Sequence, residues 1–76
     1  MKTITHEDAK NLLAIATSYD YLYGNAGVAV TQEMIKDHSQ RLHKLNKMVA
    51  TDILNAAPLF HGWAATNEWI QEQTVI

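Results

Sequence analysis

The chain has 76 residues, a formal net charge of −2 and no cysteine. These values restrict it to one small domain, exclude a disulfide scaffold and set it apart from the strongly basic proteins that coat nucleic acid. Hydrophobic residues at 47% exclude intrinsic disorder, while charged residues at 18% fall below the usual quarter and point to a surface partly covered by another subunit. No apolar run follows Lys2, so a signal peptide is not expected. No 18-residue apolar stretch is present either, so no membrane span is expected and the expected location is cytoplasmic.

Area scaling for 8.6 kDa buries about 7,800 Å² on folding. With roughly 60% of that area apolar, the stabilisation is on the order of 115 kcal/mol. Ordering costs about 1.5 kcal/mol per residue, again on the order of 115 kcal/mol. An isolated chain therefore balances near zero. Small scaffolds close this gap with disulfides, a metal or a partner chain. Cysteine is absent, so a second copy is the expected supplement.

The first element opens at Thr5. Thr5-His6-Glu7-Asp8 reads as a capping box, with the threonine oxygen accepting from the amide three residues on and Asp8 reaching back. At 100° per residue, Ala9, Leu12, Ile15, Ala16, Tyr19, Leu22 and Tyr23 share the core face, with Lys10, Ala14, Thr17 and Tyr21 opposite. A helix over about 6–23 is predicted, and Gly24 suits its left-handed cap. Gly24-Asn25-Ala26-Gly27 is a turn. It is not read as a phosphate loop, since no strand precedes it and no Gly-Lys-Ser/Thr closes it.

Thr31 is the expected N-cap of the second helix, with Val30 and Ile35 stapled across it and Glu33 complementing the dipole. The apolar pattern runs to about Ala56, and Pro58 ends it. About 25 residues at 1.5 Å each make a rod near 38 Å. A chain of this length has a radius of gyration of only about 11 Å and cannot cover such a rod alone. Gly62 separates a turn over 58–61 from a short helix over about 63–73. Trp63 and Trp69 are six apart, diverge by about 240° and form no single strip. The expected fold class is all-α, in a single domain spanning 1–76: an antiparallel helical hairpin (about 6–23 and 31–56) plus a short C-terminal helix (about 63–73). It is expected to associate as a helical-bundle homo-oligomer, most simply a homodimer with a four-helix bundle.

The apolar face of the second helix holds Met34, Ile35, His38, Leu42, Leu45, Val49, Ile53 and Ala56. Written as heptads, Ile35, Leu42, Val49 and Ala56 take position a, and His38, Leu45 and Asp52 take position d. The two polar members are symmetric about Leu45. If two copies pack antiparallel across a two-fold axis there, Leu42 meets Val49, Ile35 meets Ala56 and His38 meets Asp52 of the second copy, which fixes the register. The alternative packs the same stripe on the first helix of its own chain, with His38 satisfied inside the core.

Opposite this face, Lys36, Gln40, His43, Lys44 and Lys47 fall within about 100° of arc. They make a candidate site for phosphates of a nucleotide or nucleic acid, or else a solvated helix face. Asp37 and Arg41 are spaced as a surface i,i+4 pair. The histidines His6, His38, His43 and His61 lack the i,i+4 spacing of a helical metal site, so no metal or cofactor is expected. No nucleophile, base and orienter come together, and the chain is not expected to be an enzyme.

Tyr21 points away from the core face beside Asp20, and with Trp63 and Trp69 it supplies the candidate aromatic anchors for a partner. The function expected is a non-enzymatic interaction module, an adaptor or inhibitor that binds itself and a macromolecule, in the first place a protein. Nucleic-acid or nucleotide binding through the Lys36–Lys47 stripe is the alternative. A structural subunit of a larger assembly is the third.

Overall fold

The computed structural model describes residues 3–23 and 30–76. The turn expected at Gly24-Asn25-Ala26-Gly27, with its Gly24 cap, lies outside them. The described chain is mostly helical, and the elements run β1 (Thr3–Ile4), α1 (His6–Tyr23), α2 (Gln32–Asn46), α3 (Thr51–Ala56), a 3₁₀ turn (Leu59–His61), α4 (Trp63–Gln71) and β2 (Thr74–Val75).

Local chemistry accounts for the starts of α1 and α2. The amide of Asp8 donates to Thr5 Oγ1 at 3.0 Å. The amide of Met34 donates to Thr31 Oγ1 at 3.1 Å. Each threonine thereby satisfies one of the unpaired amides of a first turn. Val30 and Ile35, expected to close on each other as a staple, are both exposed.

The long second helix is broken. α2 ends at Asn46, the amide of Met48 turns back to the Leu45 carbonyl at 2.9 Å, and Ala50 is extended at ψ 142° before α3 begins. Packing explains the break. Val49 and Ile53 join Ile4, Leu12, Ala57 and Ile70 in one buried aliphatic cluster, with Leu13, Leu54 and Trp69 packed around it. A straight rod offers these side chains no interior of the same chain; a bend at 47–50 does. The antiparallel seam needs one unbroken helix. With the break, the heptad register that aligned His38 with Asp52 no longer continues, and Val49 belongs to the chain's own core.

The C-terminal helix is shorter than the expected 63–73. After Gln71 the chain turns into β2, which runs parallel to β1 in the register Thr3↔Thr74 and Ile4↔Val75. The amide of Ile76 donates to the Ile4 carbonyl at 2.9 Å and that of His6 to the Ile76 carbonyl at 3.0 Å. This small clasp holds Ile4 over the aliphatic cluster at 1% exposure. No strand was expected here. Two residues per strand give too little alternation to read.

The molecule measures 38 × 23 × 17 Å with a radius of gyration of 12.7 Å, against about 11 Å for a compact chain of this length. Its accessible surface is 5051 Å², against about 4,700 Å² from mass scaling. Both departures mean more surface than a well-rounded domain carries.

Candidate interaction site

The last turns of α1 bring three consecutive residues into three different roles. Ser18 turns inward and is 2% exposed. Its Oγ lies 2.7 Å from His38 Nδ1 and accepts from Arg41 Nη1 at 2.8 Å. A neutral His38 carrying its proton on Nε2 gives every atom one role: Arg41 donates to Ser18, and the Ser18 hydroxyl donates to Nδ1. Burial first, and the Arg41 charge second, hold the His38 proton affinity below that of a free histidine. The imidazole is therefore a neutral acceptor with a hydrogen-bond partner in its own chain.

Tyr19 leans on the other side of the same imidazole, edge-on at 4.6 Å between ring centroids. Four residues on, Tyr23 lies nearly parallel to Tyr19 at 6.3 Å, the neighbour spacing of a helix surface. Phe60 from the 3₁₀ turn closes the group, 5.5 Å from Tyr19 and 5.7 Å from Tyr23. Tyr23 is 65% and Phe60 67% exposed. Aromatic side chains carry about 150–250 Å² each, so these two alone leave on the order of 250 Å² of largely apolar surface in water.

Asp20 fixes the 3₁₀ turn and α4 against α1. Its Oδ2 accepts from the Trp63 amide at 2.8 Å, so a carboxylate from one helix caps the start of another. The approach is close enough that any larger residue beside it would have to displace the Asp20 carboxylate. Gly62 sits at φ 98° and ψ −175°, and an added Cβ would collide with the Asp20 carboxylate.

The structure separates the anticipated anchors. Trp63 is exposed beside the Asp20 cap. Trp69 is half-buried and packs on the aliphatic cluster, so it serves the core. Tyr21 is exposed but faces elsewhere. With Ala14, Thr17, Ser18 and Arg41 it lines a groove of about 430 Å³.

Tyr23 corrects the wheel reading, which put it on the core face. α1 ends there, and its ring lies over Phe60, exposed to solvent. Of the seam residues, His38 and Val49 are buried, Leu42 and Leu45 are half-buried, and Ile35, Asp52 and Ala56 are exposed. Lys36, Gln40, His43, Lys44 and Lys47 are all exposed along α2. Arg41, expected to pair with Asp37, turns inward to Ser18.

Sequence reasoning missed Ser18, Asp20, Arg41 and Phe60 as site builders. The i,i+4 tyrosines beside a helix end were the available signal for the aromatic group. Nothing local marks Ser18 or Asp20. Among the described residues no three histidine or acidic side chains gather as a metal site, and no helix is long and apolar enough to cross a membrane. Comparison with protein-family models, with curated proteins and with solved structures finds no match.

Proposed function

We propose that this chain is a non-enzymatic protein-interaction module that associates with a second copy of itself and acts as a small adaptor or inhibitor. One observation carries it: the aromatic group in which half-buried Tyr19 supports the exposed rings of Tyr23 and Phe60. Contiguous exposed apolar surface on a small protein marks an interaction site, and tyrosine, tryptophan and phenylalanine make the best anchors. The surplus of surface over a compact domain supports the same reading. In it, α1 and α2 act as an antiparallel hairpin, and two copies meet as a helical homodimer through their aromatic ends.

Sedimentation equilibrium from low micromolar to near-millimolar concentration tests this. The mass of the wild type should climb from one chain toward two, while Tyr23→Ser and Phe60→Ser stay at one. A wild type that remains a single chain throughout, or variants that associate like it, would overturn the proposal.

A second reading rests on the uniform exposure of Lys36, Gln40, His43, Lys44 and Lys47. These residues form a phosphate-binding face, which two copies would double. Its signature is binding to a nucleic acid that weakens steeply with salt.

A further inference from the structure

The groove of about 430 Å³ is lined by Ala14, Thr17, Ser18, Tyr21 and Arg41, and none of the rings of Tyr19, Tyr23 or Phe60 lines it. Its polar groups are largely engaged. The Thr17 hydroxyl donates to the Leu13 carbonyl at 2.8 Å, and the Ser18 hydroxyl is held between His38 and Arg41. What the wall offers is hydrocarbon, one phenol ring and one cation. The volume falls within the range typical of small-molecule sites, roughly 300–1,000 Å³, and walls of this kind suit them.

Arg41 is the distinctive member. A guanidinium carries five N–H donors in a planar fork. Ser18 takes one of them and fixes the plane. Arg41 as a residue remains exposed. A guanidinium oriented in advance loses less side-chain freedom when it receives a carboxylate in a two-point bond. His38 is held neutral beside it. The rows that flank the groove favour an anion as well. On α1, Lys10 precedes Ala14, Thr17 and Tyr21 at helical spacing. On α2, Lys44 follows Arg41 by one turn and Asp37 precedes it by one. With Arg41 these make three cations against Asp37, and Glu7 stands one turn beyond Lys10 on the same row.

We infer that this groove binds a small amphipathic carboxylate, with its acid group on the Arg41 fork and its apolar body along Ala14, Thr17 and Tyr21. Both halves of the ligand are required. An alkanol lacks the charge for Arg41, and acetate lacks the body for the groove.

Titration of the full chain with octanoate, followed by backbone amide shifts in NMR, tests the assignment. Octanoate should move the signals of Ala14, Thr17, Ser18, Tyr21 and Arg41. Its affinity should exceed that of 1-octanol, and that of acetate, by at least tenfold. Arg41→Gln should lose at least tenfold. Because that change also removes the Ser18 hydrogen bond, Ala14→Leu is the second variant. It fills the groove from an exposed helix position, leaves the network intact and should abolish binding. Equal affinity for octanoate and octanol would overturn the inference. So would an Ala14→Leu protein that binds like the wild type, shifts confined to other residues, or no binding at millimolar octanoate. None of these outcomes bears on self-association, which is read by mass.

Discussion

Around Ile4, Leu12, Val49, Ile53, Ala57 and Ile70 the interior is aliphatic and clasped by β1 and β2. Around Ser18, Tyr19, His38 and Phe60 it is polar, aromatic and open to water on one side. Aliphatic burial is strong and non-directional, so the first region supplies stability without dictating detail. Hydrogen bonds and ring edges are weak net but directional, so the second region fixes how α1, α2 and the 3₁₀ turn sit together and what they present. The division separates the part that keeps the chain folded from the part proposed to meet a partner.

The largest effect should come from breaking the aliphatic region. Leu12 is fully buried, and Leu12→Ala should cost about 2–5 kcal/mol, from lost transfer energy plus a cavity. A chain of this size holds only about 4–11 kcal/mol in total. Urea unfolding should show a greatly lowered midpoint or no folded baseline.

Gly62→Ala should cost about 1–3 kcal/mol, because the backbone there is in a region only glycine occupies readily and the new methyl meets Asp20. In an Asp20→Ala background the same change should cost less, since the collision is gone and only the backbone term remains. Equal costs in both backgrounds would mean the Asp20 cap is not what shapes this turn. The measurement is a double-mutant cycle in urea.

Asn11 is 6% exposed, and its Nδ2 has no hydrogen-bond partner among the described residues. Asn11→Leu removes that orphaned donor and should stabilise the fold by about 1 kcal/mol. A destabilised variant would show that the amide is satisfied by bound water.

The smallest effect separates the two regions by pH. His38 binds its proton less readily in the folded chain than the 6.5 of a free histidine. Below about pH 6.5 the unfolded chain therefore takes up a proton that the folded one resists. The stability linked to His38 is fully present above that pH and is lost as pH falls beneath it. His38→Asn should flatten this part of the stability–pH curve, while Leu12→Ala should lower the whole curve without flattening it.

Where the structural cause is local, the chain could be read directly. The bounds of α1 follow from the Thr5 cap and its apolar period, and the start of α2 from Thr31, since these bonds span three or four residues. The exposed row from Lys36 to Lys47 was legible for the same reason. Everything set by distant partners was not. The bond between Ser18 and His38 spans 20 positions, that between Asp20 and Trp63 spans 43, and β1 pairs with the far end of the chain. The break at 47–50 belongs with these. The period of the second helix runs on through 47–50 without a local stop signal, and only the competition for a shared interior turns Val49 and Ile53 aside. Periodicity tells a helix which face to bury, but the neighbours available to bury it decide how far that helix can run.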